Sequence, residues 1–181
     1  VPHQSYFQQA PFTAELWLKY NTLPSAKGWN GYNFFKQRNS SPWQSWLIWT
    51  SSSGGNADYI SFVLYDSVPN WRAIQADSKA VAGTWYHVAA TLDSSYNMKL
   101  YINGTQQAQT LNPGSMATSD YLLYFAGNGP NTGVDGVEDE VRFSNIARDA
   151  CWIGTEYTNQ NSPSTSISVE GQENLLDFKY R

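Results

Sequence analysis

Hydrophobic and polar residues alternate along short stretches of this chain, and turn-forming residues separate the stretches. In residues 12–19, Phe12, Ala14, Leu16 and Leu18 fall on one side and Thr13, Glu15, Trp17 and Lys19 on the other. A period of two predicts a strand with one buried face. Strands are expected in the same way over 32–37, 45–50, 58–65, 71–75, 85–92, 98–102, 121–126 and 137–143. Segments such as 51–56 (SSSGGN) and 127–136 (GNGPNTGVDG) have the composition of loops. Short strands punctuated this often, with no internal repeat, predict an all-β antiparallel β-sandwich of the jelly-roll kind. Only 144–157 reads as a helix, with Asp149 as its cap and Ile146, Trp152 and Tyr157 turned to the core. The expected organisation is one sandwich domain over 1–158. A linker-like segment follows over 159–181, which can add a last strand from 167–169 or 175–178.

Composition narrows the function classes. A hydrophobic content of 41% in 181 residues supports one sizeable core. Charged residues make up only 14%, against about 25% in an average soluble domain. A net charge of −4 without any basic run argues against nucleic acid as a partner. No apolar stretch approaches the roughly 20 residues that a membrane helix needs, so no membrane insertion is expected. Cys151 is the single cysteine, which excludes an internal disulfide, and packing beside Trp152 is its expected role. With only His3 and His87 beside it, a zinc site of the Cys/His kind is not expected. A start at Val1-Pro2-His3 suggests a segment of a larger protein.

One hairpin carries more information than the rest. Residues 83–105 read GTWYHVAATLDSSYNMKLYINGT: two β-type runs, a polar connection, then an Asn103-Gly104 turn signal. The patterns W-x-H-V-A-x-T-x-D and L-Y-I-N-G resemble the core of the laminin-G-like, concanavalin A-type lectin family. Two further pieces match in order: Phe12-Thr13 to Trp17 and Lys19 near the start, and Gly136-Val137-Glu138-Asp139-Glu140-Val141-Arg142-Phe143 near the end. The resemblance implies a concanavalin A-like jelly roll and a module that recognises glycans more often than it catalyses. It places Trp17 and Trp85 at strand positions expected in the core. It also implies one structural calcium ion, for which Asp135, Glu138 and Asp139 are the candidate ligands.

The remaining tryptophans suggest where a ligand would lie. Sugar rings stack on flat Trp and Tyr faces while polar groups orient their hydroxyls. Trp29, Trp43, Trp46, Trp49 and Trp71, with Tyr65 and Arg72, form an aromatic block before the hairpin and are the candidate ligand-binding residues. Trp46 and Trp49 are three apart, so in a regular strand only one of them can face a ligand. The expected function is non-catalytic binding of a polysaccharide or oligosaccharide by an extracellular, secreted module joined to other domains. The alternative is a structural or adhesin module with a protein ligand or none, which predicts buried central tryptophans. A glycanase reading has a weaker basis. Glu138-Asp139-Glu140 departs from the E-x-D-x-x-E of laminarinase-type enzymes, although alternation puts Glu138 and Glu140 on one face.

Overall fold

The computed structural model describes residues 1–37, 44–68, 70–118, 120–127 and 131–166. In chain order the first elements are β1 (Phe12–Tyr20), a short helix α1 (Pro24–Lys27), β2 (Gly31–Gln37), β3 (Gln44–Thr50), β4 (Ile60–Tyr65) and β5 (Trp71–Gln75). There follow β6 (Trp85–Leu92), β7 (Met98–Ile102), β8 (Thr105–Gln106), β9 (Leu123–Phe125), β10 (Gly136–Ser144), α2 (Ala150–Asn161) and α3 (Pro163–Ser166). Two five-stranded antiparallel sheets result. Sheet A has the order β10-β1-β6-β7-β8, and sheet B has the order β5-β4-β3-β2-β9.

The alternation seen in the sequence becomes the core. Phe12, Ala14, Leu16 and Leu18 of β1 join Val88, Ala90 and Leu92 of β6 and meet Phe34, Ile48, Phe62 and Leu64 of sheet B. Trp46 lies among them, fully buried, and its indole N–H donates to the Phe7 carbonyl at 2.7 Å. That bond satisfies the one polar atom which burial would otherwise leave unpaired.

Two irregularities bear on function. The β1–β10 register slips between Glu15 and Trp17, and Glu140 takes a φ of 49° at the resulting bulge. Strict alternation therefore fails in β10. Glu138 pairs across from Leu18 on the core side, whereas Asp139 pairs across from Trp17 on the outer side. Gly136, where β10 begins, packs so close to β1 that a Cβ there would lie 2.0 Å from the Lys19 carbonyl oxygen. The Asn103-Gly104 turn forms as expected, with φ of 51° and 76°, and leads from β7 into β8.

Helix α2 begins later and ends later than the sequence suggested. Asp149 caps it, accepting from the Trp152 amide at 2.8 Å. Ile153 is its buried residue, packed on Ala89 and Tyr101 of sheet A. Ile146 lies before the helix and is exposed, and Cys151 is exposed as well. Both depart from expectation, because starting the helix at Ala150 turns Ile153 rather than Cys151 toward the sheet. Helix α2 runs through Thr158 to Asn161. The strand expected at 167–169 or 175–178 lies outside the described residues.

Candidate ligand-binding face

The outer face of sheet B is apolar where an outer face would ordinarily be polar. Phe35, Leu47 and Val63 are buried there, away from the main core, beneath Tyr32, Trp49 and Tyr124. Alternation accounts for β3 and β4: with Trp46 and Ile48 facing inward, Leu47 and Trp49 face outward, and Val63 and Tyr65 do the same. In β2 a register shift between Tyr32 and Phe34 lets Tyr32 and Phe35 share a face despite odd spacing. Tyr124 reaches them through the pairing of β9 with β2, opposite Phe35.

These side chains form a continuous row of aromatic rings across the sheet. Tyr124 stacks on Phe35 at 5.4 Å, and Phe35 meets Tyr32 at 5.5 Å. Tyr32 meets Trp49 at 6.1 Å, Trp49 meets Trp71 at 5.2 Å, and Trp71 meets Tyr65 at 5.4 Å. Such spacings are those of favourable aromatic pairs, so each ring holds its neighbour in place. Trp71, on edge strand β5, is 43% exposed and is the most open indole of the row. The Trp49 indole N–H is buried and finds no acceptor among the described residues. Burial holds the Tyr65 phenol above its ordinary pKa, so that ring is uncharged at neutral pH.

A family model described as the concanavalin A-like lectin/glucanases superfamily, Laminin_G_3, matches residues 1–154. The chain belongs to this family. The two-sheet jelly roll expected from the sequence is its fold. No curated protein matches the sequence. Solved structures match the Laminin_G_3 fold at low identity. A Bacteroides ovatus protein named for an inferred carbohydrate-binding role is 17% identical with a TM-score of 0.64, over 81% of this chain and 40% of that one. Domain 4 of the extracellular arabinanase AbnA from Geobacillus stearothermophilus, solved with arabinotriose, is 19% identical with a TM-score of 0.62, over 81% and 66%. The receptor binding domain of botulinum neurotoxin D is 16% identical with a TM-score of 0.63, over 83% and 37%. The chain thus spans well under half of the first and third of these proteins.

Of the residues singled out in this Laminin_G_3 sequence, the fold brings Trp49, Tyr65 and Trp71 together. Trp46 is in the core and presents no surface, because it takes the inward position of β3. Arg72 pairs across from Leu64, on the opposite side of β5 from Trp71, and is bound to Asp66 through Nε and a second nitrogen, each at 2.9 Å. Trp29 is in the loop before β2, donating to the Gly133 carbonyl at 3.3 Å. Trp43 lies outside the described residues. Tyr32, Phe35 and Tyr124 belong to the row but were not anticipated. Their shared face depends on the β2 bulge and on a pairing between strands far apart in sequence.

The carboxylates considered for calcium do not form one ligand set. Asp135 pairs with Lys27 at 2.6 Å. Glu138 is turned to the core, and both its oxygens are buried without a hydrogen-bond partner among the described residues. That burial is the main cause that raises its pKa to about 8. Asp139 is exposed on the far side of the sheet and accepts the Glu140 amide at 2.8 Å. Among the described residues no three His, Cys, Asp or Glu side chains gather closely enough to hold a metal ion. The bulge also separates Glu138 from Glu140, which alternation had put on one face, so they cannot act as a facing acid pair.

Trp17 and Trp85, expected in the core, lie on the outer face of sheet A, with Trp85 38% exposed. Two buried titratable groups share that face. Glu15 and His87 are 3.9 Å apart on neighbouring strands, near α2, with Arg142 and Glu156 beside them.

Proposed function

We propose that this domain binds a glycan, without catalysing its conversion, by laying sugar rings along the outer aromatic face of sheet B. The continuous row from Tyr124 to Tyr65 is the observation that carries this reading. The C–H faces of a sugar are apolar and match an aromatic surface, while the phenol hydroxyls of Tyr32, Tyr65 and Tyr124 supply the polar contacts that fix orientation. A row fixed by its own ring contacts needs no reorganisation, which lowers the entropic cost of binding. The names of the arabinanase domain and the Bacteroides protein support a glycan in general. An affinity of about micromolar to millimolar per site is expected, raised by avidity if the domain works within a larger secreted protein.

A panel of plant, bacterial and animal glycans, probed with the wild-type domain, tests this. Binding to at least one class, unchanged by EDTA, is the expected result, because among the described residues no three His, Cys, Asp or Glu side chains gather to hold a metal ion. Binding to no glycan at any accessible concentration would overturn the reading. It would favour the alternative of a structural or adhesin module with a protein ligand or none.

A further inference from the structure

We propose that the outer face of sheet A carries a second saccharide site, in the cleft between β10 and the end of α2, where one sugar ring lies against Trp85. The cleft is open to solvent, has a volume of about 430 Å³, and is lined by Trp17, Trp85, Asp139, Glu140, Arg142, Gln160 and Asn161. This size falls in the range of small-ligand sites, roughly 300–1,000 Å³.

The walls are fixed from within the fold. Trp85 meets Trp17 edge to face at 6.4 Å. Trp17 in turn stacks on Tyr157 of α2 at 5.8 Å, and its indole N–H donates to the Gln160 side chain. Lys19 Nζ sits 5.0 Å from the Trp85 ring centroid, yet the residue remains 38% exposed. A large indole left open at the lip of a cleft offers a stacking surface in a set orientation.

The bulge in β10 supplies the polar side of the site. It turns Asp139 outward beside Glu140, and the left-handed φ of 49° at Glu140 is a conformation that costs energy for a non-glycine residue. Glu140 is held by Arg142, which also binds Glu156. Asp139 makes no ion pair among the described residues and uses one oxygen on the Glu140 amide. A carboxylate of this kind can accept from neighbouring sugar hydroxyls, and the Asn161 amide can donate and accept, while Gln160 is held by Trp17 and Glu156. Asp139, Glu140 and Glu156 outnumber the nearby cations Arg142 and Lys19, which disfavours uronic acids. The ligand class is therefore a neutral or amino sugar. The site lies on the opposite side of the molecule from the sheet B face and stands or falls separately.

Two-dimensional ¹H–¹⁵N NMR of the intact domain tests this, because each assigned indole N–H reports on its own site. The probes are xylo-, cello-, manno-, arabino- and chito-oligosaccharides, the last both acetylated and deacetylated. The Trp17 and Trp85 signals should shift saturably with at least one probe. Asp139→Asn should weaken that response about tenfold, while the Trp49 and Trp71 signals keep their wild-type behaviour. Trp71→Ala should leave the Trp17 and Trp85 response intact. Still Trp17 and Trp85 signals through about 20 mM of every probe, a range covering millimolar affinity, would overturn the proposal. So would a response unchanged by Asp139→Asn. Movement of Trp49 and Trp71 alone would sustain the sheet B reading and remove this one.

Discussion

At the scale of single residues, Glu15 and His87 show how burial sets chemistry. Desolvation raises the Glu15 carboxyl from 4.5 to about 7, with Arg142 opposing and Glu156 assisting. Desolvation lowers His87 from 6.5 to about 4, with Glu156 opposing. Both groups are therefore neutral in the folded protein over much of the mildly acidic range. Their linkage to stability has opposite signs. A raised carboxyl pKa means the folded state keeps a proton that the unfolded chain loses, so the Glu15 contribution is full below pH 4.5 and is lost as pH rises through 7. A lowered histidine pKa means the unfolded chain takes up a proton that the folded state refuses, so the His87 contribution is lost as pH falls from 6.5 through 4. Glu15→Gln should gain stability relative to wild type as pH rises from 4.5 to 7, by on the order of 2–3 kcal/mol. His87→Gln should gain relative stability in the other direction. Urea unfolding at several pH values measures this, and a wild-type-to-variant difference independent of pH would refute the assignment. The sequence showed His87 as a strand residue, but not its partner. Glu15 faces it only because β1 and β6 lie side by side, 72 positions apart in the chain.

At the scale of elements, the strands were legible wherever alternation was strict and failed to be where it broke. The β10 segment reads E-D-E, and the regular reading paired Glu138 with Glu140. The bulge turned Asp139 and Glu140 the same way instead. Such a bulge has no signature in the sequence of one strand, because the partner strand defines it. The cap of α2 at Asp149 was legible from the residue type, while the end of the helix was not. The close approach of Gly136 to Lys19 is a second feature that belongs to a pair of strands. Gly136→Ala would drive a methyl group into the Lys19 carbonyl and should cost about 1–3 kcal/mol or more, with β1 and β10 forced apart. Chemical denaturation gives the loss directly. Amide exchange should show it concentrated in those two strands, and an unchanged midpoint would contradict the packing described here.

At the scale of the whole molecule, the outer faces of the two sheets differ. Sheet A is overlaid by α2 through Ile153 and Tyr157, whereas sheet B carries the aromatic row. The family and the jelly roll were legible because three motifs span most of the chain in order. The ligand face was half legible. Trp49, Tyr65 and Trp71 stood out as aromatic residues, and spacing put Trp46 and Trp49 on opposite faces, but nothing in a single sequence said which of the two faces outward or joined the row to Tyr32, Phe35 and Tyr124. The central claim is that a glycan binds the sheet B row and not the loop that carries Trp29. Calorimetric titration of one panel-identified glycan into wild type, Trp71→Ala and Trp29→Ala tests it most directly. Trp71→Ala should lose about tenfold or more in affinity, from the removed stacking surface, and Trp29→Ala should keep wild-type affinity. Wild-type affinity in a folded Trp71→Ala variant would contradict the claim.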